Sequence, residues 1–186
     1  LIGGHGAFAG SVDIASGGTV PASTLDPTSN TFNGGELLVD TGNSTYTSNF
    51  TVDSSQTNKI DINGYDAIFS GQFSDATRDS PGTLTFGNSS SLQSTVTLTG
   101  DNSGFTGKTI IDPKVSLNVG DKSLGTGEVV DNGFLSFQNN NELTVNNKIS
   151  GSGWVYARGS GTLNLTGENS YSSIRTIRGS IGTFYN

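Results

Sequence analysis

The chain of 186 residues has no cysteine, no methionine, a single histidine, a single tryptophan and four prolines. Without cysteine there can be no disulfide, so stability must come from burial and from backbone hydrogen bonds. The same absence suits an export route that disfavours disulfides. One histidine and no cysteine exclude the ordinary zinc sites in practice. They also leave His5 as the only base available to a serine–histidine–aspartate triad, and no Gly-x-Ser-x-Gly nucleophile setting accompanies it. No apolar run reaches the 18 residues that a membrane-spanning helix needs. Beginning at Leu1, with neither methionine nor a charged leader, the chain reads as a mature product or an excised piece of a longer one.

Charge is also scarce. Charged residues make up 13% of the chain and the formal net charge is −7, with a pI of about 4.4. That balance disfavours nucleic acid and anionic membranes, which call for basic patches. An acidic surface is the ordinary means of keeping a β-rich protein soluble.

What the chain does have is glycine (27 residues), with abundant serine, threonine and asparagine. Hydrophobic residues amount to 31%, but a disordered chain would couple such a low fraction to high charge. The apolar residues fall instead into short runs of period two. These are Ser11–Ile14, Lys59–Ile62, Gly82–Phe86, Ser94–Leu98, Val115–Val119, Gly133–Phe137, Glu142–Val145 and Thr162–Leu165. Gly, Asn or Asp punctuates nearly every boundary, as turns require. No long stripe of period 3.6 occurs, so the sequence predicts strand and turn throughout.

The runs also repeat. Leu98-Thr99-Gly100-Asp101-Asn102-Ser103 returns as Leu165-Thr166-Gly167-Glu168-Asn169-Ser170, 67 residues later, with an aromatic close behind each copy (Phe105, Tyr171). A unit of that size holds several strands. At roughly 20–25 residues per coil the chain makes about seven to nine coils, each burying its apolar face against its neighbours. The stretch Gln138-Asn139-Asn140-Asn141 fits a polar ladder and a simple turn equally well.

These residues resemble the passenger domains of Gram-negative autotransporters and their recurring β-strand repeat. The likeness is carried by Ser123-Leu124-Gly125-Thr126-Gly127, by Ile149-Ser150-Gly151-Ser152-Gly153 and by Gly159–Tyr171. Gly3–Val12, Gly17–Pro21 and Lys59–Gly64 resemble another passenger stretch of the same proteins. The resemblance implies a right-handed parallel β-helix (a β-solenoid) at the bacterial cell surface, its parent anchored by an outer-membrane barrel absent from this chain. Residues 1–75 read as an N-terminal passenger stretch and 76–186 as the β-strand-repeat stretch, joined in one solenoid. Arg175-Thr176-Ile177-Arg178 departs from the pattern, standing where the repeat has a Gly-rich turn.

Catalytic signals are poor. Asp40-Thr41-Gly42, after Leu37-Leu38-Val39, imitates the aspartic protease signature, but that chemistry needs two carboxylates sharing a proton and only one copy exists. Gly4-His5-Gly6 imitates a polygalacturonase element, yet no Asp-Asp doublet occurs to supply a carboxylate pair. No calcium loop of the Asp-x-Asp-x-Asp-Gly kind is present. The expectation is a non-catalytic chain without cofactor or metal. Trp154 and Tyr156, two apart on one strand and flanked by Arg158, form the one aromatic cluster able to stack on a sugar or anchor a protein. Alternatively they fill the inside of a coil, the usual place for large aromatics. The expected role is adhesion, through self-association or a host protein or glycan, with a passive stalk as the alternative.

Overall fold

The structure, a computed structural model, describes residues 11–54 and 57–184; His5 and its flanking glycines lie outside that range. The chain is a β-solenoid of about 8 turns. Val12–Ala15 (β1) and Thr19–Pro21 (β2) open it, followed by a single 3-10 turn at Ala22–Thr24. The next three turns have three strands each. They are Ser29–Asn33, Glu36–Leu38 and Ser44–Tyr46 (β3–β5); Asn49–Val52, Thr57–Asp61 and Ala67–Phe69 (β6–β8); and Phe73–Asp75, Thr83–Gly87 and Ser94–Leu98 (β9–β11). Two turns of two strands follow, Lys108–Ile111 with Val115–Val119 (β12, β13) and Val129–Asp131 with Phe134–Gln138 (β14, β15). The last turns are Leu143–Val145 and Ile149–Arg158 (β16, β17), then Thr162–Leu165 and Ser170–Ile177 (β18, β19), closed by Ser180–Phe184 (β20).

Every pairing between these strands is parallel, as stacking of successive turns demands. Three faces result. The first holds β1-β3-β6-β9 and, after a break, β16-β18-β20. The second runs β2-β4-β7-β10-β12-β14 into the start of β17, and the third runs β5-β8-β11-β13-β15 into its end. Strand β17 is ten residues long because it rounds the corner between the second and third faces. The ladders cross residue 75 without a break, since β10 pairs with β7 on one side and β12 on the other.

Turn length changes along the stack. Val96 stands opposite Ala67, 29 residues back, whereas Val129 stands opposite Thr109 and Ile149, 20 residues away in either direction. The middle turns are the widest; the first are as short as the last, Asn30 standing opposite Phe50, 20 residues on. Rings fill the turns up to β11. Phe32, Phe50, Phe69, Phe73 and Phe86 are all buried, with Phe50 5.6 Å from Phe32, 5.9 Å from Phe69 and 4.9 Å from Phe73 between centroids. The late turns are filled mainly by Leu117, Val119, Val129, Leu135, Ile149, Val155, Leu163 and Leu165, with Phe137 among them. Each such side chain contributes roughly 1.5–3 kcal/mol by leaving water.

Corners are held by asparagine. Asn102 is buried; its Oδ1 accepts the Phe73 N–H at 2.7 Å and its Nδ2 donates to the Ser123 carbonyl at 2.6 Å. Asn169 accepts the Ile149 N–H at 3.0 Å, and Asn147 donates to the carbonyls of Gly125 and Gly127. The sequence repeat therefore delivers an asparagine to a corner in both copies, at the entrance of the first face for Asn102 and of the second face for Asn169. The preceding leucines do not correspond, because Leu98 is on the third face and Leu165 on the first. In the Gln138–Asn141 stretch, Asn139 bonds to the carbonyls of Asn141 and Thr162, a corner bracket rather than a ladder of like side chains.

Close approach between turns also selects glycine. A Cβ on Gly107 would lie 2.0 Å from the Gly82 carbonyl oxygen, and one on Gly127 would lie 1.9 Å from that of Gly107. The three form a column in which neighbouring backbones touch and any side chain is excluded.

Candidate binding face

Strand alternation decides which side chains of β17 meet solvent. Val155 and Ala157 are buried in the solenoid, so Trp154, Tyr156 and Arg158 point outward from the third face. The aromatics thus do not fill the coil, because alternation gives the inward positions of this strand to Val155 and Ala157.

Register brings further residues to the same patch. Phe134 stands opposite Trp154, Ser136 opposite Tyr156 and Gln138 opposite Arg158 on the turn below. On the turn above, Ser173 faces Trp154 and Arg175 faces Tyr156. The Phe134 and Tyr156 rings lie 6.3 Å apart at 29°, and Trp154 and Tyr156 lie 6.5 Å apart at 19°. Ser136, outward by alternation yet fully buried, is roofed by the side chains around it, and its Oγ has no hydrogen-bond partner.

Two guanidinium groups rest on this aromatic surface. Arg175 Cζ is 4.2 Å from the Trp154 ring centroid and Arg158 Cζ is 5.4 Å from that of Tyr156. Cation–π contact of this kind uses the flat face of the guanidinium and leaves the N–H edge free. Arg178, with φ 68°, joins Arg158 through an isolated backbone bridge. Among the described residues no carboxylate pairs with any of the three arginines. The second face differs: Lys59 bridges Glu36 and Asp61, and Lys108 and Lys148 both reach Glu128.

Sequence reasoning finds Trp154, Tyr156 and Arg158 but misses Phe134 and Arg175. Phe134 is visible in the sequence as an apolar residue at the opening of its run. Arg175 looks there like part of a disrupted turn; the structure makes it strand, the turn coming at Arg178 and Gly179.

The remaining candidates resolve into corners. The Asp40 carboxylate accepts bonds from the Ser23 N–H at 2.9 Å and from the Ser23 hydroxyl, and the hydroxyl holds its pKa below the ordinary value. Asp40 thereby ties the turn after Val39 to the 3-10 turn below. Asp131 is unlike every other acid described. It continues the inward column Leu37, Ile60, Phe86, Ile111 one turn further. Its Oδ1 accepts the Gly133 N–H at 2.9 Å, its Oδ2 is buried without a partner, and burial raises its pKa to about 6. Between β9 and β16, where the first face is interrupted, a shallow depression of about 280 Å³ is lined by Gly120, Lys122, Leu124, Leu143, Val145 and Asn147. No group of three or more His, Cys, Asp or Glu able to hold a metal occurs among the described residues.

No protein-family model matches the chain, and no solved structure matches it. It is 37% identical over 82 residues, 44% of its length, to an uncharacterized lipoprotein, YdeK, of Escherichia coli (strain K12). The chain spans about 6% of the length of that relative. Fold, an exposed aromatic–arginine face and a stretch of likeness to a bacterial lipoprotein are the findings from which a function has to be argued.

Proposed function

We propose that this chain is a non-catalytic, surface-displayed segment of a larger Gram-negative envelope protein, and that its third face adheres to a partner outside the cell. The carrying observation is the outward cluster of Phe134, Trp154 and Tyr156 with arginines laid over it. Half-exposed aromatics and arginine are the residue types that dominate binding energy at recognition surfaces. The likeness to a lipoprotein supports an envelope location, and the resemblance to autotransporter passengers supports display on a barrel-anchored stalk. Adhesion in virulence or biofilm growth is the biological role that follows.

The stalk reading keeps the same architecture and removes the binding face. It draws on the parallel ladders of the second and third faces, which run unbroken into β17 and make a stiff spacer. Beads coated with the chain separate the two, scored for attachment to one another and to epithelial cells. Attachment that falls by more than half in Trp154→Ala and Tyr156→Ala variants supports adhesion through this face. Attachment no better than uncoated beads leaves the stalk.

A further inference from the structure

We propose that the third face recognises an acidic polysaccharide, lying along the solenoid axis with its anionic groups on Arg158 and Arg175 and a ring face on Trp154 or Tyr156. The inference rests on the adhesive reading of this face and names the chemistry of its ligand.

Charge isolates the site first. The chain has four arginines, and three of them, Arg158, Arg175 and Arg178, gather at this corner of the last turns. In a chain of net charge −7 they have no carboxylate partner among the described residues. The lysines of the second face show that this sequence readily pairs cations with acids when a pair is structural. Among the described residues Arg78, Lys114 and Lys122 are in no salt bridge either, but they stand apart, whereas three arginines clustered on one corner of an acidic chain make a local positive site suited to an anion supplied from outside.

Geometry then selects the anion. Contact with Trp154 and Tyr156 holds both guanidinium groups at the surface of the third face, where their forked donors suit carboxylate and sulfate. Arg158 and Arg175 lie on adjacent turns and are offset by two residues along the strand, since Arg175 faces Tyr156. Two anionic groups of one linear chain can therefore meet them in turn. The guanidinium groups cover one face of Trp154 and of Tyr156, and the remaining aromatic surface, with Phe134 beside it, offers apolar contact to a pyranose. A neutral glycan would use the rings and leave the arginines idle; an acidic peptide would use the arginines but not the aromatic surface.

Trp154 is the only tryptophan, so its fluorescence reports the site directly. The full chain is titrated at low salt with an oligouronate, a sulfated oligosaccharide and a neutral oligosaccharide of equal length. The expected result is a saturable change with the acidic ligands alone, weakening as salt is raised. The better of the two acidic ligands identifies carboxylate or sulfate as the source. Arg158→Gln and Arg175→Gln each lower affinity by about tenfold, as loss of a charge-assisted bond should, while thermal unfolding shifts only by the small loss of one surface cation–π contact. Equal response to the neutral ligand overturns the proposal while leaving an adhesive face. Silence toward all three, with bead attachment still dependent on Trp154, overturns it in favour of a protein partner. Silence together with Trp154-independent attachment removes the adhesive reading as well.

Discussion

The early and late turns of this solenoid solve the same packing problem with opposite use of aromatic residues. In the turns up to β11, rings are inside: Phe50 sits among Phe32, Phe69 and Phe73. From β12 onward Val, Leu and Ile dominate the interior, with Phe137 and Tyr171 as buried rings, and Phe134, Trp154 and Tyr156 are turned outward. Strand alternation makes the difference. In β15 and β17 it places Leu135, Phe137, Val155 and Ala157 inside and leaves the other rings at the surface, which is where the candidate binding face arises.

The sharpest way to break this comparison is to delete one ring from each region. Phe50→Ala should cost about 3–5 kcal/mol, because the stacked turns cannot close around the cavity. In a molecule whose turns contact only their neighbours, the loss should appear as early unfolding of the N-terminal half in chemical denaturation. Trp154→Ala removes a ring of larger size, yet should cost only about 1–2 kcal/mol, since the half-buried ring loses a cation–π contact and part of its burial but leaves no enclosed cavity. Equal losses for the two, measured in the same denaturation experiment, would erase the distinction between inside and outside rings.

Between these lies Asp131, a carboxylate buried in the inward column of the late turns. Its ordinary carboxylate pKa is 3.8 and its folded value is about 6, raised by burial. Below the lower value the group is protonated in both folded and unfolded chains and carries no penalty. As pH rises from about 4 through 6, the folded state must either keep a proton that the unfolded state has released or bury a charge. Stability falls across that window by about 3 kcal/mol, the free-energy equivalent of the gap between the folded and unfolded proton affinities. Asp131→Asn should abolish this contribution and exceed the wild type in melting temperature at pH 7.5. The difference between the two proteins should shrink toward pH 4. Using the difference matters, because Asp26, Asp40, Asp61, Asp101 and Glu128 have lowered values and oppose the trend.

Much of this fold was legible in the sequence, and the reasons are local. Each of the eight alternating runs corresponds to a strand, since period two and Gly or Asn boundaries are properties of the chain itself. The repeated motif was legible as a repeat, but not the corner role of its asparagine, which depends on a carbonyl or N–H of another turn. Illegible were the relations between turns. Leu98 and Leu165 look equivalent in sequence yet occupy different faces, because two turns omit a first-face strand and shift the count. The outward direction of Trp154 was hidden too, since alternation gives two faces without saying which is core. Arg175 was obscured by β19, whose later residues are exposed and lack an apolar rhythm.

The column of Gly82, Gly107 and Gly127 bears on how such a molecule changes over generations. A single-residue insertion within a turn would slide a side chain into a place where its Cβ would lie 2.0 Å or less from a neighbouring carbonyl oxygen, so small length changes there are barred. Duplication of an entire turn carries its own glycine along and leaves every contact intact. The molecule can thus grow or shrink by whole turns far more easily than by single residues. Inheritance in complete units is written into the spacing of a residue that has no side chain.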